Sequence, residues 1–349
     1  MVASETNTNR RRLFKRNQHR HRVSTRVRGN TSCVKKIGTS TDKKNGFFGN
    51  RCGSFNFFFG IILNKIKQWY AALGTGFLLI LQFNCAGHFL GNASGTAARK
   101  QLEAVRSFAI VYKKAPLEEL TGFDLLILDP DAYDSAAFGG LTRRGKIVLG
   151  YLNVGEVETY RWYASEVPPN WVLKANPDWP HHNFVNVKKR GWRKLVVQKI
   201  ARRILQKGAQ GFFLDSVDLA SPARNPHLKS AMVKLIRQLH GRYPTKFLLL
   251  NNGQFLLPEV ASAVSGLAVE NVFTEPEEQT VRHRPAGQVR RILENLKSLK
   301  EKYRLPIFLV DYFPQNGEVS VADWEAIART YGMVLYVGDT LLQRVSPPF

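Results

Sequence analysis

GFFLDSVD, residues 211–218, sets a glycine and three large apolar residues before two carboxylates, Asp215 and Asp218. A half-solvated strand alternates apolar and polar side chains, whereas an unbroken apolar run suits a strand covered on both faces. The same grammar recurs seven times. Ser107–Lys113 (SFAIVYK), Asp124–Pro130 (DLLILDP), Lys146–Val154 (KIVLGYLNV) and Phe247–Gly253 (FLLLNNG) share it. So do Gly266–Phe273 (GLAVENVF), Pro306–Phe313 (PIFLVDYF) and Met333–Asp339 (MVLYVGD).

Helical stripes fill the gaps. Trp192–Lys207 carries Leu195, Val196, Ile200, Ile204 and Leu205 on one side, with Gly208 as its stop. Leu228, Met232, Leu235, Ile236 and Leu239 form a second stripe, and Val289, Ile292, Leu293, Leu296 and Leu299 a third. Ser320 with Asp323 caps a fourth helix running to Gly332. Eight strands alternating with helices predict an α/β fold, a (β/α)8 TIM barrel over residues 99–349. The alternative is a doubly wound open sheet, but no glycine-rich phosphate fingerprint follows the first strand. The last helix must be short, because only ten residues follow Asp339.

Upstream the composition changes twice. The chain has 349 residues, 51 Lys+Arg, 27 Asp+Glu and a net charge of +24, which invites a nucleic-acid-binding reading. Residues 1–67 hold 16 basic and 2 acidic residues (+14), and residues 68–349 hold 35 and 25 (+10). Residues 1–56 have no apolar periodicity and are expected to be a disordered basic leader. A signal sequence normally has a short basic region, so a stretch this long before the apolar run raises the expectation that part of residues 1–56 is an over-extended translation start. With no methionine between Met1 and Met232, however, a shorter product requires a non-AUG start. Residues 57–95 contain the apolar run Trp69–Phe83, and no charged residue lies between Lys67 and Arg99. That pattern predicts a signal peptide or membrane anchor, with membrane contact through residues 69–84 if it is not cleaved. The positive-inside rule then puts the barrel outside, secreted or anchored. Cys85 follows the run where a lipidated cysteine would stand; Cys33 and Cys52 are in the leader. Residues 99–349 contain no cysteine, which excludes thiol nucleophiles and Cys-ligated metals there.

In a TIM barrel the site forms at the carboxyl ends of the strands. Those ends carry Asp129, Asn153 with Glu156, Asp215 with Asp218, Asn251 with Asn252, Glu270, Asp311 and Asp339. Seven acids on one rim predict an acidic bowl. Two carboxylates across a scissile bond are the equipment of glycoside hydrolysis. Asp215 and Glu270 are the candidate catalytic pair, with Gly266 and Ala268 leaving room beside Glu270. Asp129, Tyr151, Asn153, Glu156, Tyr160, Asp218, Asn251 and Asp311 are expected to bind substrate. Tyr160, Trp162, Tyr163, Trp171 and Trp179 crowd the long connection 153–191, where exposed ring faces suit sugars. No strand-end lysine supports a Schiff base, and His181-His182 lacks a metal-ligand spacing and reads as surface histidines. No metal or cofactor is expected, and no nucleic acid for the folded domain.

Leu125–Asp131 (LLILDPD), Leu149–Tyr163 (LGYLNVGEVETYRWY), Asn176–Pro180 (NPDWP), Gly211–Asp218 and Val269–Thr274 (VENVFT) resemble the endo-α-1,4-polygalactosaminidase-related proteins, glycoside hydrolase family 114. The resemblance covers roughly residues 105–340. It implies a TIM barrel cleaving a galactosamine-containing polysaccharide, with Asp215 and Glu270 at the family's strand-end acids. After NPDWP the run Lys188-Lys189-Arg190-Gly191-Trp192 departs from the neutral or acidic run of the family pattern. Two other functions fit parts of the sequence: a catalytically inactive carbohydrate-binding barrel, and a binder of anionic polymers through the leader.

Overall fold

The structure is a computed structural model that describes residues 97–277, 280–314 and 320–347. The basic leader, the apolar run and Cys85 lie outside the described residues. Among the described residues no helix is long and apolar enough to cross a membrane.

Eight parallel strands form one sheet in sequential order: β1 (Phe108–Val111), β2 (Leu125–Leu128), β3 (Ile147–Asn153), β4 (Gly211–Asp215), β5 (Phe247–Asn251), β6 (Gly266–Glu270), β7 (Ile307–Tyr312) and β8 (Val334–Gly338). Sequential order excludes the doubly wound sheet, whose strand order reverses partway across. The barrel is nearly closed. Phe108 of β1 packs on Phe308 at 5.2 Å and on Tyr336 of β8 at 5.7 Å, bringing the two edge strands together without a ladder between them.

Strand alternation decides what faces the axis. Phe212 of β4 packs outward on Tyr243, with ring centroids 5.7 Å apart, so Phe213 and Asp215 point inward. The outer helices are α1 (Ser135–Arg143), α2 (residues 190–206), α3 (Lys229–Arg242), α4 (Ala286–Tyr303) and α5 (Val321–Thr330), joined by single helical turns at Leu117–Leu120 and Leu257–Val260. α2 contains a π turn at Val196–Ile200 and stops at Gly208, where φ is +105°. It lies so close to β3 that a Cβ on Gly150 would come within 2.3 Å of Ile204. Ser320 caps α5 by accepting from the Asp323 amide, as its spacing predicts. At the amino end of the barrel, a helix over 97–103 inserts Leu102 toward Gly266, and Arg99 donates to the Ala261 and Val264 carbonyls.

The strand ends fall one to three residues inside the expected limits. Two additions are not legible as sequence periodicity. The connection 153–191 folds into a three-stranded antiparallel sheet of Glu156–Glu158, His182–Val185 and Val172–Ala175. A hairpin, Thr274–Glu277 with Thr280–His283, follows β6. No helix follows β8 among the described residues; instead the Asp339 carboxylate accepts from the amides of Leu341, Gln343 and Arg344, each at 3.0 Å.

Candidate active site

Asp215, Asn251 and Glu270 end β4, β5 and β6. Each is followed by a non-glycine residue in the left-handed region: Ser216 (φ 58°), Asn252 (φ 49°) and Asn271 (φ 60°). Left-handed backbone is costly for residues with a Cβ and is found where a site demands it. Here it turns three consecutive strands abruptly and leaves their last side chains in the mouth. The Asn252 side chain accepts from the Glu270 amide at 3.0 Å, which fixes one of these corners. Gly155 is needed below another, since a Cβ there would meet the Ser216 carbonyl oxygen at 2.2 Å.

The register Asn153↔Asp215 and Asn251↔Ala268 brings the catalytic candidates side by side. The Asn251 Nδ2 donates to Asp215 Oδ1 at 2.9 Å and to Glu270 Oε1 at 2.6 Å. One neutral amide therefore bridges two carboxylates. Tyr151 donates to Asp215 Oδ2 at 3.0 Å, and Asn153 Nδ2 donates to the Tyr151 hydroxyl at 3.1 Å. Tyr312 donates to Glu270 Oε2 at 3.0 Å. Burial, and then the charge of Asp215, push the Glu270 carboxyl up to about 7, against the opposing hydrogen bonds of Asn251 and Tyr312. Burial also raises Asp218, while Arg224, 3.2 Å away, opposes the rise. Asp218 lies near enough to Glu270 for its charge to be felt there.

A second group of acids occupies the β2–β3 side. Arg161 holds Asp129 bidentately at 2.7 and 2.9 Å, reaches Asp131 at 3.1 Å, and donates to Glu158 through Nε. Burial alone would lower the Arg161 pKa, but the hydrogen bonds and charges of Asp129 and Glu158 raise it. Tyr151 and Tyr160 line its guanidinium at 5.6 and 5.2 Å.

The expected acidic bowl is thus smaller than the sequence implies. Asp129 is expected to bind substrate but is neutralised by Arg161. Glu156 is buried, accepting from Asn176 at 3.0 Å and meeting His182 Nδ1 at 2.9 Å. His182 is accordingly half-buried rather than a surface histidine. Asp311 has no exposed surface; it accepts from the amides of Val272, Phe273 and Thr274 and from the Thr274 hydroxyl. Its geometry assigns it to holding the loop after β6. Asn153 turns its oxygen back to the amides of Gly155 and Glu156. What remains in the mouth is Asp215, Asp218 and Glu270, with Tyr151 and Asn251 between them. Tyr160 and Trp179 are well exposed on the rim and contact His182 from two sides, each with centroids 6.2 Å apart.

Four site residues escape the sequence reading. Tyr112 and Tyr312 follow the inward phase of β1 and β7, so alternation carried two residues further finds them. Tyr112 meets the Tyr151 ring edge-on at 4.8 Å. Glu158 and Arg161 are harder, although Arg161 is the lone Lys or Arg between Lys146 and Lys174.

The sequence model of glycoside-hydrolase family GH114 matches residues 91–345. Among solved structures, the glycoside hydrolase domain of PelA from Pseudomonas aeruginosa is 25% identical with a TM-score of 0.60, over 69% of this chain and 98% of that one. Aspergillus fumigatus Ega3, solved in complex with galactosamine, is 15% identical with a TM-score of 0.53, over 68% of this chain and 92% of that one; it supports the fold. An uncharacterized protein of Thermotoga maritima is 24% identical over 256 residues, 64% of this chain and 76% of the relative.

Proposed function

The chain belongs to glycoside-hydrolase family GH114, and from that premise we propose that it hydrolyses a galactosamine-containing polysaccharide through Asp215 and Glu270. The observation that carries this reading is the Asn251 bridge between two carboxylates, one of them pushed up to about 7. Glu270 near that value holds its proton for part of the neutral range and can deliver it to the leaving glycosidic oxygen. Asp215, oriented by Tyr151 and Asn251, attacks the anomeric carbon as the C–O bond breaks. Glu270, now ionised, takes a proton from water as that water displaces Asp215.

Two oxygens bonded to one nitrogen lie within two hydrogen-bond lengths of each other. That closeness supports the retaining course, whose carboxyl groups stand about 5–5.5 Å apart, over the inverting one at about 6.5–9.5 Å. The sugar is the one the family resemblance implies. The acid in the mouth beside the catalytic pair, Asp218, is paired with exposed Arg224 at 3.2 Å and meets an amino sugar's ammonium group by exchanging that partner. Export, with residues 69–84 as signal or tether and the barrel outside, completes the reading and rests on the apolar run alone.

The test is a panel of partially and fully deacetylated galactosamine polymers beside neutral glucans, with products followed by mass spectrometry and early anomers by NMR. Release of amino-sugar oligomers with retained configuration is expected. Saturable binding of every polymer with no product would favour the inactive carbohydrate-binding barrel instead.

A further inference from the structure

The positive surplus of the barrel is confined to one sector. Residues 179–258 hold 15 Lys+Arg against 2 Asp+Glu, and those two acids are Asp215 and Asp218 in the mouth. The rest of residues 68–349 holds 20 Lys+Arg against 23 Asp+Glu. The whole +10 of residues 68–349 therefore belongs to this sector, and everything else is slightly acidic.

In the structure the sector is β4 and β5 with the helices outside them, α2 and α3. These helices are neighbours: Tyr243, at the end of α3, donates to the Val197 carbonyl of α2 at 2.9 Å. The charges of Arg202 and Arg242 both reach that tyrosine, so the basic sides of the two helices converge. Lys188, Arg190, Lys194, Arg202, Lys234 and Arg242 are all exposed, and none forms an ion pair among the described residues. Isolated cations on a pair of outer helices contribute little to the fold, but together they make a strong local field.

Two observations select the partner. Neither α2 nor α3 itself carries a large exposed aromatic among the described residues. The one exposed ring packed against them, Trp162 under the Arg203 guanidinium at 4.8 Å, is a single ledge rather than the row on which proteins stack single-stranded nucleic acid. The chain also reaches the barrel beside this face. Arg99, in the helix 97–103, lies close enough to α3 for its charge to act on His240. Thirteen residues separate Ala97 from Phe83, the end of the apolar run. Fully extended, they span at most about 45 Å.

We propose that the α2–α3 face docks on an anionic phospholipid bilayer and holds the barrel against the membrane that seats residues 69–84. The proposal rests on the tether reading given above. Basic clusters close to a membrane-inserted segment are drawn to anionic headgroups, and the attraction fades within a Debye length. Docking by the flank leaves the mouth at the carboxyl ends of the strands open to polymer.

The test uses the full chain with vesicles of phosphatidylcholine alone or mixed with phosphatidylglycerol. Lysine acetylation rates are read by mass spectrometry at Lys188, Lys194 and Lys234, with exposed Lys297 on α4 as internal reference. Phosphatidylglycerol is expected to slow the three about fivefold or more, to spare Lys297, and to lose its effect in high salt. Phosphatidylcholine should slow none of them. The double variant K188E/K194E is expected to melt as the parent does and to lose the phosphatidylglycerol protection at Lys234, a site-resolved readout that the basic leader does not supply. Cosedimentation with both vesicle types and unprotected lysines would overturn the docking face and leave the tether standing. Cosedimentation with neither would overturn both. Equal protection by duplex DNA at matched phosphate would overturn the lipid assignment in favour of nucleic acid.

Discussion

Two acid clusters sit on the same rim, and they differ in what stands at the centre. On the β2–β3 side, Asp129, Asp131 and Glu158 surround Arg161, a cation. On the β4–β6 side, Asp215 and Glu270 flank Asn251, a neutral amide. The cation cancels charge and satisfies nearly every lone pair turned toward it. The amide can only tie two carboxylates together; it cannot neutralise them, and burial, with the charge of Asp215 added to it, lifts the Glu270 carboxyl toward neutrality. Acids around a guanidinium are scaffold. Acids around an amide keep their charge, and these are the reagents of the proposed reaction.

That contrast can be broken at several points. The largest effect is expected at Asp215→Asn, which removes the proposed nucleophile and should lower kcat about 10⁴-fold in a reducing-end assay. Glu270→Gln should cost about 10²–10⁴-fold. In the parent enzyme kcat/KM should fall as pH rises through about 7, where Glu270 loses its proton, and this limb should vanish in the variant. Stability should carry the same signature. A carboxyl whose folded pKa is raised binds its proton longer in the native state than in the unfolded one. Urea midpoints should therefore decline from about pH 4.5 to about 7, less steeply in Glu270→Gln.

The scaffold cluster should respond in the opposite currency. Arg161→Ala leaves three acids around an empty centre, and a loss of about 3–5 kcal/mol is expected in denaturant titration. If the variant melts like the parent and only turns over slowly, the two clusters are not distinct. The smallest effect is expected at Tyr312→Phe. It deletes a hydrogen bond to charged Glu270, so the basic limb should move up by roughly half a pH unit with a few-fold change in rate.

The barrel was open to sequence reading because a strand buried on both faces advertises itself as an unbroken apolar run, and eight such runs leave little freedom of topology. The placement of Asp215 and Glu270 was legible for the same reason, since position at a strand end follows from the strand. The fate of the other acids was not. Asp129, Glu156 and Asp311 occupy strand ends or the turns just beyond them, as Asp215 does, yet Arg161, His182 and the loop amides Val272–Thr274 absorb them. Those partners sit in connections without periodicity, so only folded geometry pairs them. The net charge misled in a similar way: +10 reads as a uniform coat until it is divided along the chain, and the fold then sets the two basic helices side by side.

Asp311 carries one further consequence. Its backbone belongs to β7, but all the hydrogen bonds of its carboxylate go to Val272–Thr274, just after β6. That wall of the mouth is therefore unfinished until β7 has docked, late in the chain and after Glu270 is already on its strand. A product ending before residue 311 contains Asp215 and Glu270 and still lacks the carboxylate that frames the segment after Glu270. Asp215 and Glu270 therefore gain their full setting only when the seventh strand, which brings Asp311 and Tyr312, is in place.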